Sequence, residues 1–195
     1  MSDPAPLPPD GPQADGRLDP RIRRTRRDLR KALQDLLHAV PFDQITIRDI
    51  AAKAEVAYTT FFRHYPSKEA LLADLAQDEA ARLLNACWPQ LRASDPYASC
   101  LALCRHVADN RAVWSALLCG GAESAVRTAL IDETLGRAQD WPPALEWLPH
   151  DIGTKLTIGV IVDLLAWWLG QPEADPPERI AGILDKLLVS TLVRR

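Results

Sequence analysis

The sequence predicts an all-α fold with an N-terminal helix-turn-helix domain of three helices and a C-terminal helical domain. Apolar residues recur at three- and four-residue spacing along most of the chain, and strand-like alternation does not persist in any segment. Proline and glycine fall between the periodic segments, where they end helices. With 195 residues, 47% of them hydrophobic, the chain has enough length and apolar content for two small domains.

Composition divides the chain into three parts. Residues 1–20 contain six prolines and little apolar pattern, so we expect a disordered tail. Residues 21–66 contain the three helices of the expected helix-turn-helix domain. Residues 67–195 are poorer in basic residues and richer in Leu, Ala and Trp, and they form the expected C-terminal domain.

Capping residues and breakers predict the bounds of the first helices. A helix begins at Pro20, which suits a first helical position, and ends before Pro41. Thr46 is the predicted cap of a short helix over 47–54. A second short helix, over 57–65, follows after a tight turn.

The long helix that comes next is expected to begin after Ser67 as its cap and to reach about Trp88. Pro89 and Pro96 bracket a predicted linker. In the C-terminal part, Gly and Pro pairs separate five further periodic segments. These helices are expected near residues 97–110, 111–119, 122–139, 151–170 and 177–193.

Charge is distributed unevenly along the chain. Residues 17–68 contain 12 basic and 6 acidic residues and carry a net charge of +6, whereas the rest of the chain carries −9. A basic segment on an acidic body is typical of a protein with one end that binds a polyanion. A solvated, arginine-rich helix would give the same imbalance.

Several other classes of protein are not indicated. No stretch reaches the roughly 18 consecutive apolar residues of a membrane span, and the N-terminus has no signal pattern, so we expect a cytoplasmic protein without a membrane partner. Neither a Gly-rich phosphate loop nor zinc-protease spacing occurs, and no nucleophile has a plausible base. We therefore expect neither enzymatic activity nor a cofactor.

Cys100 and Cys104 lie four residues apart, on one face of an expected helix. This spacing suits half of a metal site, a redox pair, or two small core residues. Because disulfides are rare in the cytosol and no second ligand pair at metal spacing follows, the core interpretation is favoured.

Two short helices between residues 46 and 65 have apolar faces that can meet, as in a helix-turn-helix. The other face of the second helix carries side chains suited to base edges and phosphates. An ordinary helical hairpin would show the same apolar pattern, but the basic run over 21–31, together with His64 and Lys68, favours DNA binding. The apolar faces consist of Ile47, Ile50 and Ala51 in the first helix and of Val56, Phe61 and Tyr65 in the second.

The stretch from Arg24 to Leu72 resembles the DNA-binding domain of TetR-family regulators. The pieces FDQITIRDIAAKA, TTFFRHY and SKEALL occur in the family's order and at its spacing. The segment GVIVDLLAWWLG, residues 159–170, is similar to a C-terminal helix in one branch of that family. The resemblance implies a transcription regulator that binds double-stranded DNA as a homodimer and responds to a small molecule.

By this resemblance the helix over 57–65 is the recognition helix. Tyr58, Thr59 and Arg63 match positions that face bases or adjoining phosphates, and Arg48 matches a position at the edge of the groove. The positions that usually anchor the DNA backbone are occupied here by Thr46, Thr60, His64 and Lys68.

Three residues depart from the family pattern. Glu55 occupies the turn position usually held by glycine, and a positive φ there would cost roughly 1–2 kcal/mol. Ala57 replaces the usual Ser, Thr or Asn cap of the recognition helix, at a cost of about 0.5–2 kcal/mol. Phe62 replaces a phosphate-binding tyrosine and has no hydroxyl group.

The two C-terminal helices predict dimerisation. The helix over 151–170 is apolar nearly all round, so it should be buried on every side, and the last helix carries one apolar stripe. Paired with a two-fold copy, two such helices make a four-helix bundle. We therefore predict a homodimer through these helices; the alternative is a core helix in a monomer.

The chain contains six tryptophans, many for its length. Aromatic rings line ligand pockets as well as cores, so we predict an apolar cavity in the C-terminal half, walled partly by tryptophan, for an apolar or aromatic effector. Asp163 interrupts the apolar run and either points to solvent at a rim or pairs with an arginine or a cationic ligand.

Two functional hypotheses follow from these observations. The first is a ligand-responsive repressor that binds a near-palindromic operator as a homodimer. The second is a helical protein-interaction module that has lost DNA binding, which Glu55, Ala57 and Phe62 would favour.

Overall fold

The computed structural model describes residues 20–92, 95–138, 147–173 and 175–192. In these ranges the regular structure is helical and contains no strand, so the all-α prediction is confirmed. The expected tail before Pro20 and the predicted break at Trp141 lie outside the described residues.

Three helices form the N-terminal part, with a single 3-10 turn over Phe42–Gln44 between the first and the second. The helices that follow pack on one another. The bounds are α1 Pro20–Leu37, α2 Ile47–Lys53, α3 Tyr58–Phe62, α4 Lys68–Arg92, α5 Pro96–Asp109, α6 Arg111–Cys119, α7 Glu123–Arg137, α8 His150–Leu169 and α9 Pro177–Leu192.

α1 is strongly amphipathic, and this explains how the N-terminal core forms. Its buried stripe, which includes Leu29 and Leu33, recurs every three or four residues and faces α2 and α4. Ile50 of α2 and Phe61 of α3 close the same core, each fully shielded from solvent. The predicted meeting of the two apolar faces is therefore confirmed, with Ile47 and Val56 packed at its rim.

α4 is longer than predicted. It does not end at Trp88 but continues through Pro89 to Arg92, so the predicted linker shrinks to a few residues. Pro89 removes one backbone hydrogen bond from the helix, yet α4 continues for three residues beyond it. Pro96 instead begins α5 as its first residue, with Asp95 as the cap, whose side chain accepts from the backbone N–H of Ala98.

The C-terminal core lies between α4 and the helices that surround it. α5 packs between α4 and α9, and α7 covers another side of α4. Cys87, Cys100 and Cys104 are buried there, and burial raises the pKa of each thiol, to about 11, 11 and 12 respectively. The core interpretation of Cys100 and Cys104 is thus confirmed; among the described residues no cluster of metal-ligating side chains occurs.

Within one chain the two C-terminal helices bury their apolar residues to different extents. α8 is long and apolar enough to span a membrane, but it packs against α6, α7 and α9 as a core helix does. It also leaves an apolar stripe exposed, so it is not buried on every side within one chain. The apolar stripe of α9, including Ile180 and Leu184, is buried against its own protomer. The exposed stripe, here called the α8 stripe, consists of Ile152, Leu156, Val160 and Trp167.

Candidate nucleic-acid interface

The N-terminus of α2 is held by a complete capping box. The Thr46 hydroxyl accepts from the backbone N–H of Asp49 at 3.2 Å, and the Asp49 carboxylate accepts from the backbone N–H of Thr46 at 2.9 Å. The Thr46 hydroxyl, 2.6 Å from the Asp49 carboxylate, and the Thr46 backbone N–H both favour the charged carboxylate and lower the pKa of Asp49. The predicted cap is confirmed, and Thr46 is exposed beside α2. Its contact with a DNA backbone stays a prediction.

The turn between α2 and α3 contains the strain expected from the sequence. Glu55 has a φ of 56°, in the left-handed region that favours glycine. Ala57 is the N-cap of α3, and its side chain makes no capping hydrogen bond. α3 accordingly has only five residues and ends at Phe62, three residues earlier than predicted.

The exposed face of α3 combines aromatic rings with a cation. Tyr58 and Phe62 are both exposed and meet edge to face, with ring centroids 5.2 Å apart. The Arg48 guanidinium of α2 lies 5.8 Å from the centre of the Tyr58 ring, a cation–π contact. Thr59 is exposed on the same short helix. Three of the predicted DNA-contacting residues, Arg48, Tyr58 and Thr59, are therefore accessible on one side of the domain, together with Phe62.

Three further predicted DNA contacts lie at or near the end of α3. Arg63 is exposed at the C-cap, whereas His64 and Thr60 are half-buried. Burial lowers the pKa of His64, and the nearby positive charges of Arg26 and Arg63 lower it further. The lowered pKa favours the uncharged imidazole, which can offer a phosphate a neutral N–H group.

Lys68 has a structural position that the sequence did not predict. Its ammonium donates to the backbone carbonyls of Phe42 at 2.9 Å, Asp43 at 3.2 Å and Ile45 at 2.9 Å. It also lies 4.6 Å from the centre of the Phe42 ring. Because an ammonium has three N–H donors, these carbonyls engage all of them. Lys68 therefore ties the start of α4 to the turn before α2, and its predicted phosphate contact stays untested.

A network of charged side chains holds α3 against α1 and α4. Asp74 of α4 accepts from Arg26 at 2.8 Å, from Arg30 at 2.8 Å and, at short range, from the Tyr65 hydroxyl. Arg26 also donates to the Tyr65 oxygen at 3.1 Å. Arg30 Nε makes a further ion-pair contact of 2.8 Å with Asp78, without the angle of a hydrogen bond. We call these five residues the Asp74 network.

The Asp74 network changes the interpretation of the basic run in α1. Two of its arginines are engaged inside the domain, and Arg24, Arg27 and Lys31 lie within 4 Å of acidic residues in α1 itself. Much of the positive charge counted in the sequence is therefore balanced locally. The sequence alone does not reveal these ion pairs, because Asp74 lies 44 residues beyond Arg30 and only the tertiary fold brings them together.

A groove with a volume of about 660 Å³ lies where the N-terminal part meets α6. It is lined by residues 37–43, from the end of α1 and the turn after it, and by Ala112, Ser115, Ala116, Cys119 and Gly120 of α6 and its C-cap. No tryptophan is among these lining residues. Trp114 and Trp168 are buried, whereas Trp147 and Trp167 are exposed. A tryptophan-walled cavity in the C-terminal core thus stays a prediction.

Known proteins share both the N-terminal segment and the fold. The family model of bacterial regulatory proteins of the tetR family matches residues 29–75. The helix-turn-helix regulator YxbF of Bacillus subtilis (strain 168), itself uncharacterized, is 38% identical over 69 residues. That match covers 35% of this chain and 18% of the length of YxbF, so the chain spans less than a fifth of this relative.

Two solved structures resemble the whole fold. A TetR regulator from Rhodococcus sp. RHA1 is 17% identical, with a TM-score of 0.66, and the match covers 89% of this chain and 99% of that one. The repressor FadR of Thermus thermophilus, solved with lauroyl-CoA, is 19% identical, with a TM-score of 0.62 and coverage of 87% and 96%. At these identities the likeness concerns the fold. The chain thus matches the tetR family of bacterial regulatory proteins over its helix-turn-helix segment, residues 29–75, and its fold resembles that of solved TetR regulators.

Proposed function

We propose that the protein is a ligand-responsive repressor of transcription that binds a near-palindromic operator as a homodimer. The observation that carries the proposal is the exposed face of α3, where Tyr58, Thr59 and Arg63 are accessible. In the described part of the chain, no ion pair engages Arg63 or Arg48. Hydrogen-bonding and cationic groups that face away from the core are the groups that base edges and phosphates require.

The α8 stripe supports the dimer. Its four residues lie within one quadrant of the helix, and Leu156 is 54% exposed. An exposed apolar strip on a globular chain marks an interface, and Asp163, which lies in the same quadrant, is paired with Arg127 at 2.6 Å. A two-fold pair would present two α3 helices to successive major grooves, about 34–36 Å apart, and this spacing requires a near-palindromic site.

The effector part of the proposal has separate support. FadR, which shares the fold, was solved with lauroyl-CoA. In this chain α4 begins in the DNA-binding part and continues into the C-terminal core, and α1 contacts α6. A ligand that favours one packing of the C-terminal helices would therefore shift the position of α3.

Selection of bound duplexes from a random pool tests the operator. We expect the recovered sites to contain two inverted half-sites whose centres lie one helical turn apart. Placing such a site over a promoter should then lower transcription in the presence of the protein. Recovery of duplexes without a common sequence, although the protein is folded, would refute sequence-specific binding.

A protein-interaction module is the second candidate, and three observations favour it. Glu55 brings strain and a negative charge next to α3, Ala57 provides no cap, and Phe62 lacks a hydroxyl group. Random-sequence duplex at low salt distinguishes the two functions. A DNA-binding protein keeps a non-specific Kd of about 10⁻⁴–10⁻⁶ M even at physiological salt, whereas a module that has lost DNA binding shows none.

A further inference from the structure

A buried carboxylate lies at the junction of the N-terminal and C-terminal helices. Glu79 of α4 is only 1% exposed, and among the described residues it is the one buried side chain with a formal charge. Its Oε1 accepts from Arg82 at 2.9 Å and from Gln34 of α1 at 3.4 Å. Its Oε2 has no hydrogen-bond partner in the described protein. A buried carboxylate oxygen without a hydrogen-bond partner bears its full desolvation penalty, which a partner would offset.

Two further buried polar groups without partners lie next to Glu79. The Nε2 atom of His106, on α5, is 3.8 Å from the free Glu79 oxygen, too far for a hydrogen bond, and makes none elsewhere. The His106 ring meets the Trp114 ring of α6 edge-on, with centroids 6.4 Å apart. Trp114 is fully buried, and its indole N–H also lacks an acceptor. Three helices thus contribute unpaired polar atoms to one small region.

We infer that the Glu79–His106 pair is the polar recognition centre of the effector site, and that it binds a hydroxyl group on an apolar or aromatic molecule. An oxygen placed between two atoms 3.8 Å apart can lie within hydrogen-bond distance of both. A hydroxyl group donates to the carboxylate and accepts from the imidazole N–H, so it satisfies both atoms at once. The Trp114 ring, which meets the His106 ring edge-on, puts an aromatic side chain beside this centre.

Other ligand charges fit this centre less well. An anionic group would be repelled by the negative charge of the Glu79 carboxylate. An ammonium group has no acceptor for the imidazole N–H, and it would lie close to Arg82, which already neutralises the carboxylate. A neutral hydroxyl group is the complement of one acceptor and one donor.

The position of Glu79 also connects the ligand to the DNA-binding part. The same carboxylate accepts from Gln34, a residue of α1. A hydroxyl group that draws Glu79 toward His106 lengthens the contact with Gln34, which is already long at 3.4 Å. This inference rests on the ligand-responsive part of the proposed function, and it gives that response a route from α5 through α4 to α1.

Three small probes of similar size test the inference on the full-length protein. Phenol donates and accepts, anisole only accepts, and toluene does neither. Titrations followed by the indole N–H signals in NMR give the affinity for each probe. We expect phenol to bind about tenfold or more tightly than the other two, because a site built around a hydroxyl group rejects analogues that lack it. Equal affinity for the three, or no saturable binding of phenol at millimolar concentration, would overturn the inference.

Two variants make the comparison residue-specific. His106→Phe keeps a ring against Trp114 and removes the acceptor and donor, so the preference for phenol should disappear while toluene binding persists. His38→Phe makes the same change at an exposed position and should keep the preference. A preference for phenol that survives His106→Phe would place the hydroxyl site elsewhere and refute the assignment.

DNA binding distinguishes failure of this inference from failure of the proposed function. Affinity for random duplex at low salt is measured for the parent protein without any probe. If the protein binds duplex but does not discriminate among the probes, the recognition centre is refuted and the DNA-binding function stands. If it binds no duplex, the proposed function fails, whatever the probes show.

Discussion

At the scale of single residues, Arg63 is the exposed cation best placed to contact DNA, and it has two kinds of partner. If it reads a base, Arg63→Ala should cost about 1–3 kcal/mol of binding and relax the preference at one position in each half-site. If it holds a phosphate, binding should weaken equally for all sequences, and the salt slope should fall by about one. Fluorescence anisotropy with operator and scrambled duplexes, at several salt concentrations, separates these cases.

Two control variants accompany that experiment. Lys186→Ala, on the exposed side of α9, should leave DNA affinity unchanged. Lys68→Ala should instead lower the free energy of unfolding by about 1–3 kcal/mol, because three backbone carbonyls lose a charged donor. Operator binding by Arg63→Ala equal to that of the parent protein would show that the recognition surface lies elsewhere.

Asp74 predicts a pH-dependent contribution to stability. Burial alone would raise the pKa of this carboxyl, but the hydrogen bonds from Tyr65 and Arg30 and the charge of Arg26 lower it below 3.8. A carboxyl whose pKa is lower in the folded state stabilises the protein above the unfolded-state pKa, and this contribution is lost as the pH falls through the folded-state pKa. We therefore expect Asp74→Asn to lower the free energy of unfolding by about 1–3 kcal/mol at pH 7.

Urea unfolding at several pH values checks this expectation. The difference in free energy of unfolding between Asp74→Asn and the parent protein should begin to shrink below about pH 4, where the carboxyl of the unfolded chain becomes protonated. It should be lost as the pH falls through the lower folded-state pKa. Asp43→Asn, an exposed carboxylate on the 3-10 turn, provides the control and should change stability little. A difference that stays constant down to strong acid would contradict the role given to the carboxylate charge.

At the scale of the elements, the turn before α3 combines strain with a missing cap. Glu55→Gly should stabilise the protein by about 0.5–1 kcal/mol, since relief of roughly 1–2 kcal/mol of left-handed strain outweighs the added freedom of the unfolded chain. Glu55→Gln keeps the strain and removes the charge. Thermal unfolding should therefore separate the glycine variant from the other two proteins, whereas both variants should bind random duplex more tightly. A glutamine variant as stable as the glycine variant would show that the charge, not the backbone, is the cause.

At the scale of the whole molecule, the α8 stripe predicts the oligomeric state. A buried charge in an apolar interface is strongly destabilising, so Leu156→Glu should convert the dimer to a folded monomer. Lys155→Glu places the same side chain one position away, on an exposed polar face, and should remain dimeric. Light scattering at micromolar concentration provides the measurement. A parent protein that is monomeric and folded would refute the interface.

Local pattern in the sequence determined much of what the structure shows. The all-α class, the Thr46 cap, the meeting of Ile50 with Phe61, and the strained position of Glu55 all depend on neighbours within a few residues. Such features follow from helical spacing, capping chemistry and backbone sterics, which act over short stretches of chain. For the same reason the resemblance of residues 24–72 to the TetR family was visible without a fold.

Only the tertiary structure decided which charged and apolar groups remain available. Sequence spacing could not show that Asp74 engages Arg26 and Arg30, or that Lys68 is bonded to the turn before α2, because these partners are 23 to 48 residues apart. Nor could sequence spacing show which apolar stripe of the two C-terminal helices is buried within one chain, since both helices carry apolar residues. Packing buried the stripe of α9 against α5 and left that of α8 exposed. Long-range contacts are selected by the shape of the whole core, and no short segment of sequence contains that information.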